Sequence, residues 1–353
     1  MDWKNKKWMT YPLLIILFVA VAPLLLLQLD GESSKNKIIP EISGISGWFN
    51  SPPLTLAQLR GKVVIVDFWT YSCINCLRTI PYLNRWYEKY KDKGLVIIGV
   101  HSPEFLFEKE LSRVQSAVNE LQIKYPVALD SDHKTWDAFA NHYWPHKFFV
   151  GSDGSIRFEV IGEGHYEDSE EKIRELLAET GVTLDGPLTP VEGEKVNFQK
   201  IKSPEIFFGA FHGGFLGNPL GILAGKNTAY ALPPHLEEHA YYLVGHWAVS
   251  EEYAVHHDST PGEILIKYEA KSVNWVAGTD RKGIWVEVQL DRHDLTPDQM
   301  GKDIVIDSAG KSRVFISDKK LYRIVNNQAG YGKHLLILKI ADPDLESYTF
   351  TFG

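Results

Sequence analysis

Two cysteines separated by two residues, Cys73 and Cys76, are the feature that most restricts how this chain can fold. They are the only cysteines in the sequence, so they cannot connect distant parts of the chain. The pair follows a β-branched run at residues 63–66 and precedes apolar residues at helical spacing in residues 77–90. This order predicts a buried strand, a loop and then a helix, with the cysteines at the start of the helix.

A cysteine at a helix N-terminus is suited to thiol–disulfide exchange. The unpaired N–H groups and the helix dipole stabilise a thiolate at Cys73, which can attack a disulfide and form a mixed disulfide. Cys76, one turn later, can then attack Cys73 and release the partner. The spacing therefore predicts a redox-active Cys73–Cys76 disulfide, with no other cofactor.

Two structural explanations of the pair remain open. The cysteines could form half of a zinc site, for which His101 and His142 are candidate ligands, although structural zinc commonly uses a second close pair of ligands. They could also form a plain structural disulfide, but bridging so short a loop adds little stability.

The rest of the chain divides by its hydrophobic pattern. Strands alternate with helices over residues 40–185, which predicts an α/β layer with a largely parallel sheet closed by a hairpin at one edge. Residues 186–202 are predicted to be a linker. Short β-rich runs in residues 203–353 predict an all-β sandwich, jelly-roll-like in type. After the first helix, the helices are expected at residues 105–121, 136–143 and 169–179.

The N-terminal segment predicts a membrane anchor. Residues 9–29 contain no charged side chain, and about 20 apolar residues are enough to cross a bilayer as a helix. Lysines precede the segment and acidic residues follow it, so residues 1–8 are expected to be a cytoplasmic tail. Residues 30–39 are expected to be a tether, and the bulk of the chain to be extracytoplasmic (periplasmic or cell-surface).

A cleaved signal peptide is the alternative for this segment. Residues 20–22 have the small-x-small form of a cleavage site. Pro23 would then be the first mature residue, where it is poorly tolerated, and the apolar run continues past that point. The uncleaved, single-pass anchor is therefore the favoured interpretation.

Charge excludes one class of function. The chain carries a formal net charge of −8 and has no basic block. Binding to nucleic acid needs clustered Lys and Arg to neutralise phosphates, so nucleic acid is not an expected partner.

The motif around the cysteines resembles known redox proteins. Residues 67–76 look like the active-site segment of thioredoxin-like proteins, and the longer pattern Trp-x-x-Ser-Cys-Ile-Asn-Cys-x-Arg-Thr-x-Pro-Tyr-Leu resembles the extracytoplasmic region of DipZ-type disulfide reductases. The TlpA/ResA redoxins are more distantly similar. The likeness continues at residues 99–104, 143–145 and 350–353, and the β-rich part resembles that family's carbohydrate-binding-module-like domain.

The resemblance implies a role for each site residue. Cys73 would be the nucleophile, Cys76 the resolving thiol and Asp67 a buried proton relay. Asp67 could alternatively only cap the loop after its strand. Pro145 matches the cis-proline that lies beside the cysteines in this family and leaves the neighbouring backbone free to pair with a substrate chain.

Three aromatic residues would complete the site under the same resemblance. Trp69, Tyr71 and Trp144 are expected to form an apolar rim that helps to position the substrate. For Trp69, ordinary packing in the core is an equally good interpretation.

The function implied is that of a membrane-anchored thiol–disulfide oxidoreductase that reduces disulfides in extracytoplasmic proteins. Because a single anchor holds no redox group, a CcdA-type membrane protein is expected to supply electrons. One alternative is a thiol peroxidase, since Thr70 precedes Cys73 as in that motif, although Val66 replaces the proline. Another is a glycan- or partner-binding module, with Trp247, Trp275 and Trp285 as candidate sugar-stacking residues.

Overall fold

The computed structural model of the protein describes residues 37–190 and 196–353. The first part is a six-stranded sheet in the order β1–β4–β3–β2–β5–β6. Its strands are β1 (Gly47–Phe49), β2 (Val63–Trp69), β3 (Leu95–His101), β4 (Val127–Leu129), β5 (His146–Val150) and β6 (Ile156–Ile161). β2, β3 and β4 run parallel, whereas β1, β5 and β6 pair antiparallel with their neighbours. The sheet is therefore mixed rather than largely parallel, and the hairpin expected at one edge is β5–β6.

Four α-helices accompany this sheet. They are α1 (Ile74–Tyr90), α2 (Leu111–Glu120), α3 (Lys134–Ala138) and α4 (Tyr166–Glu179). All seven residues of β2 are buried, which is the pattern of a central strand covered on both faces. The parallel strands β2, β3 and β4, the helix α1 after β2 and the β5–β6 hairpin form a thioredoxin-like fold.

The segment expected to be one helix over residues 105–121 contains two elements. A 3₁₀ turn covers Leu106–Lys109, and α2 begins only at Leu111. The break occurs because the Glu108 carboxylate accepts hydrogen bonds from the Glu104 and Phe105 N–H groups, at 2.7 and 3.1 Å, and closes a tight turn. The other two predicted helices also shift, since α3 ends at Ala138 and α4 begins before Ser169.

The C-terminal region is all-β, as expected. Its strands are β7 (Ile206–Phe207), β8 (Thr228–Tyr230), β9 (Tyr241–Val249), β10 (Ala254–His256), β11 (Gly262–Ala270), β12 (Ser272–Gly278), β13 (Ile284–Leu290), β14 (His293–Asp294), β15 (Ile304–Ile306), β16 (Ser312–Ile316), β17 (Lys320–Asn326), β18 (Gly332–Ile340) and β19 (Glu346–Phe352). All the pairings between these strands are antiparallel.

Strand β9 connects two groups of strands in this region. Its first half pairs with β11 and its second half with β8 and β10. Gly245 lies between the halves with φ 91°, a conformation that glycine adopts without strain. Side chains from both groups, such as Ile264 and Trp275, then meet in one buried core.

The segments flanking the first part pack against it more than a tether or linker would. Ile39, expected in the tether, is 7% exposed and its N–H donates to Gly154 O at 3.0 Å. In the expected linker, Pro187 O accepts from Lys89 Nζ at 2.8 Å. Residues of the predicted tether and of the predicted linker therefore contact the first part of the chain.

The two parts of the chain share an apolar interface. Tyr348 of β19 lies against Phe105 and Phe107, with ring centroids 5.1 and 4.8 Å apart. The Glu252 carboxylate also accepts from the Leu106 N–H at 3.1 and 3.2 Å. The β-rich part is thus held against the loop that follows β3.

The predicted anchor over residues 9–29 lies outside the described residues. Within residues 37–190 and 196–353, no helix has the length and apolar character needed to span a membrane.

Candidate active site

The two cysteines lie where the sequence predicts, at the start of α1. Cys73 is the N-cap residue, and the Cys76 N–H donates to Cys73 Sγ at 3.3 Å. Both are free thiols; Cys73 is half-buried and Cys76 is 1% exposed. Burial, followed by the hydrogen bond with Cys73, raises the pKa of the Cys76 thiol. One sulfur is therefore accessible at the helix N-terminus, while the other is buried and its raised pKa favours the thiol form.

Pro145 lies beside the nucleophile. The Trp144–Pro145 bond is cis, and Trp144 O lies 3.8 Å from Cys73 Sγ as a hydrogen-bond acceptor. The Trp144 side chain is half-buried, and its Nε1 donates to Ser102 O at 3.0 Å. The structure thus brings Trp144 and Pro145 to the cysteines.

Asp67 is buried, and its charge contributes to the raised pKa of the Cys76 thiol. It is 1% exposed, and its Oδ1 has no hydrogen-bond partner among the described residues. Burial raises the pKa of Asp67 to about 7, and the positive charge of Lys147 opposes that rise. A carboxyl group that titrates near neutral pH next to a thiol is suited to exchanging protons with it.

Lys147 is a functional candidate that the sequence analysis did not identify. It is 0% exposed, and it lies directly opposite Asp67 in the antiparallel register of β2 and β5. Its Nζ donates to Gly162 O at 2.9 Å, and burial lowers its pKa. Only the register between the two strands places this cation near Asp67, so no local sequence signal could have found it.

Glu108 is a second missed residue, and it organises the loop before Cys73. Its side chain is 0% exposed. It accepts the Thr70 hydroxyl and, at 3.2 Å, the Ser72 N–H, in addition to the Glu104 and Phe105 N–H groups. This buried carboxylate therefore joins the cysteine loop to the loop that contacts the C-terminal region.

Replacing Glu108 with alanine is expected to destabilise the protein by about 3 to 5 kcal/mol, because four buried donors lose their acceptor. Urea unfolding of the Glu108→Ala variant would measure the loss. Glu110→Ala is the matched control, since that side chain is 56% exposed and pairs only with Arg113 at the surface, a pair worth about 1 kcal/mol or less. Equal stability of the two variants would contradict the organising role of Glu108.

The aromatic rim is only partly present. Trp69 is 0% exposed and belongs to the core, so it does not line the site surface as the resemblance suggested. Tyr71 is 7% exposed and stacks on His101, with centroids 5.5 Å apart. Trp144 alone of the three lines the cleft at Cys73. Trp69 therefore acts through packing.

The candidate zinc ligands do not gather around the cysteines. His101 is fully buried, and burial lowers its pKa to about 3; His142 is exposed. In the described part of the chain, no three His, Cys, Asp or Glu side chains converge as a metal site.

Thr70, the residue that suggested a peroxidase motif, has a buried hydroxyl with two partners. Its hydroxyl donates to Glu108 and lies 3.5 Å from His101 Nε2. The hydroxyl is therefore committed to the buried carboxylate rather than to the Cys73 sulfur.

The three tryptophans of the β-rich region do not form one platform. Trp247 and Trp275 are 0% exposed and lie in the core. Trp285 is 45% exposed and packs beside Phe315, with centroids 4.9 Å apart. Because Trp247 and Trp275 are buried, the three tryptophans cannot together form a sugar-stacking surface.

The C-terminal region supplies one wall of the site. A cleft of about 250 Å³ opens at Cys73 between the two parts of the chain. Its lining residues are Cys73, Ile74, Asn75, Glu104 and Trp144 on one side, and Phe198, Ile201, Ser203, Glu205, Thr351 and Phe352 on the other. The sequence analysis singled out residues 350–353 as a motif but had no means of placing them beside Cys73.

Fold and site together define a thioredoxin-like redox centre: a CxxC pair at the start of α1, a buried acid and a cis-proline. Comparisons with known proteins agree with this class. Residues 46–159 match the AhpC/TSA family, and residues 203–353 match the family described as Thioredoxin like C-terminal domain.

One curated relative identifies the family, and a second is similar to a larger share of this chain. YkuV, a thiol-disulfide oxidoreductase of Bacillus subtilis (strain 168), is 32% identical over 143 residues, which cover 40% of this chain and 95% of YkuV. Protein DipZ of Mycobacterium tuberculosis (strain CDC 1551 / Oshkosh) is 38% identical over 249 residues, 68% of this chain. The chain therefore belongs to the thioredoxin-like thiol–disulfide oxidoreductases and resembles DipZ.

The share of each known protein that the match covers differs between them. The region matched to DipZ spans about a third of that protein, 35% of its length. A solved thioredoxin-like protein in the oxidised form is 30% identical and covers 41% of this chain and 97% of its own, with a TM-score of 0.38.

Proposed function

We propose that this protein is a membrane-anchored, extracytoplasmic oxidoreductase that reduces protein disulfides through Cys73 and Cys76. The observation that carries the proposal is the half-buried Cys73 Sγ, which accepts the Cys76 N–H at 3.3 Å, together with the burial of Cys76, which raises the pKa of that thiol. The charge-free segment over residues 9–29 supports the anchor.

The reaction begins at Cys73. Its thiolate, stabilised by the Cys76 N–H and the helix N-terminus, attacks one sulfur of the substrate disulfide. That S–S bond breaks, the first substrate sulfur leaves as a thiolate and takes a proton from solvent, and a mixed disulfide forms on Cys73. The backbone at Trp144 and Pro145 positions the substrate chain beside the sulfur.

The second step uses the buried groups. Asp67 accepts the proton of Cys76, and the resulting thiolate attacks Cys73 Sγ. The mixed disulfide breaks, the second substrate sulfur leaves as a thiolate that is then protonated, and a Cys73–Cys76 disulfide forms. Two electrons have passed from the cysteine pair to the substrate.

The cycle closes when another dithiol reduces the Cys73–Cys76 disulfide. We assign this step in the cell to a membrane dithiol protein of the CcdA type. An anchor in the same membrane would raise the effective concentration of the two proteins. The C-terminal region, as a jelly-roll-like sandwich, would hold the substrate rather than react with it.

The redox state in cells tests the direction of transfer. Rapid acid quenching and alkylation with a bulky maleimide should show the pair mostly reduced, and oxidised when the donor gene is deleted. A Cys73→Ser, Cys76→Ser double variant, which has no cysteine, marks the position of the unmodified chain. A pair that is always oxidised in wild-type cells would overturn both the reductase direction and the proposed donor.

A further inference from the structure

The cleft at Cys73 is lined by two acidic residues that have no role in the proposed exchange reaction. Glu205 lies just before β7, and Glu104 lies in the loop after β3 on the opposite side of the cleft. Apart from Cys73, they are the titratable residues among those lining the cleft, which include no Lys or Arg.

The two carboxylates repel one another. Partial loss of water raises the pKa of Glu205 to about 7. Burial and then the charge of Glu205 raise the pKa of Glu104. Among the described side chains, neither carboxylate has a hydrogen bond or ion pair from Lys, Arg or His. A cation placed between the two would remove the repulsion and gain two charge-assisted contacts.

The same cleft must receive the substrate, because Cys73 Sγ lines it. Its volume of about 250 Å³ is below the roughly 300–1,000 Å³ typical of small-molecule sites. It therefore accommodates one or two side chains of an extended segment rather than the surface of a folded domain. Phe198, Ile201 and Phe352 give its far wall an apolar surface along which the methylene stem of a long side chain can lie.

We propose that the preferred substrates are extended polypeptide segments with a Lys or Arg next to the disulfide-bonded cysteine, whose cationic head lies between Glu104 and Glu205. The C-terminal region then selects substrates, by closing one side of the reaction cleft with a charge complementary to them. This inference rests on the proposed function, since it concerns the same nucleophile.

A matched pair of substrates tests it. Two synthetic peptides, each with one disulfide, would differ only in Lys or norleucine beside the target cysteine. The full-length chain in neutral detergent, kept reduced by dithiothreitol at pH 8, should reduce the Lys peptide with a kcat/KM about tenfold higher than the norleucine peptide, as expected for solvent-screened charge contacts with the two carboxylates. High salt should diminish that preference.

The Glu205→Gln variant should lose most of the preference, so that the ratio of kcat/KM for the Lys peptide to kcat/KM for the norleucine peptide falls towards one. Glu251→Gln is the matched control, because Glu251 is also an exposed acid of the C-terminal region and does not line the cleft. It should behave as wild type towards both peptides.

The remaining outcomes separate the two hypotheses. Equal kcat/KM for both peptides in the wild-type protein, or an equal loss for both in Glu205→Gln, would overturn the charge selection while leaving the reductase in place. Failure to reduce either peptide would overturn the proposed function itself.

Discussion

Replacing Cys73 with serine in the full-length chain is expected to lower the rate of insulin disulfide reduction by at least about a thousandfold, to the background of dithiothreitol alone. The reason is that the Cys73 sulfur lines the cleft, whereas Cys76 is 1% exposed. A serine hydroxyl keeps the approximate shape of the side chain but cannot attack a disulfide. The measurement is the turbidity of precipitating insulin chains with the dithiothreitol rate subtracted.

Cys76→Ser is the matched variant, and it should fail in a different way. Cys73 can still attack, but no second thiol releases the substrate, so a mixed disulfide should accumulate and be seen on a non-reducing gel. Trapping the same adduct in cells would name the natural substrates. If Cys73→Ser forms the adduct instead, the two roles are reversed. Insulin reduction by Cys73→Ser at the wild-type rate would refute the mechanism.

Local sequence patterns are sufficient to predict the reactive part of the site. The β-branched run in β2 and the helical spacing in α1 place Cys73 at a helix N-terminus without any knowledge of the tertiary structure. The hydrogen bond from the Cys76 N–H to Cys73 Sγ follows from that position, because an N-cap side chain faces the unpaired N–H groups of the first turn. The local pattern therefore predicted the position of Cys73 at the start of α1, which the structure confirms.

Long-range contacts explain what the sequence could not reveal. Lys147 is buried near Asp67 only because β5 pairs with β2 in one register. Glu108 is surrounded by donors from two loops that are distant in sequence from each other. Burial of a charged residue also runs against its ordinary preference for solvent, so neither residue stands out in a hydrophobic pattern.

Domain packing is a third source of information absent from local patterns. Glu205 lies close to the predicted linker, where a charged residue suggests only solvent exposure. It lines the cleft at Cys73 because Tyr348 and Glu252 hold the β-rich part against the loop after β3. The division into an α/β part and a β-rich part was predictable, but the shared cleft depended on how the two pack together.

Substituting Asp67 with asparagine should remove the pH dependence of the second chemical step. In the wild-type protein Asp67 must be ionised to accept the Cys76 proton, so turnover should rise with pH through about 7, the pKa of the buried carboxyl. Asparagine accepts no proton. The variant should be about ten- to a hundredfold slower above pH 7, with little change in rate around that pH.

The same Asp67→Asn substitution, although it lowers the rate, should raise the stability of the folded protein. Because the folded-state pKa of Asp67, about 7, lies above the ordinary value of 3.8, the folded protein holds a proton that the unfolded chain has released between those pH values. Stability from this group is therefore full in acid and falls as pH rises from about 4 to 7. An asparagine side chain does not titrate, so the Asp67→Asn variant should gain stability relative to wild type, on the order of 4 kcal/mol by pH 8.

Urea unfolding of both proteins at pH 5 and pH 8 measures the difference, with Asp132→Asn, at an exposed aspartate, as the control. A stability gain together with a loss of rate would show that Asp67 acts as a proton acceptor and does not only cap the loop. Removing a cap would destabilise the protein at every pH. A loss of stability that is equal at the two pH values would instead assign Asp67 to capping. The acid would then have no part in the proton transfer from Cys76, and another group would have to accept that proton.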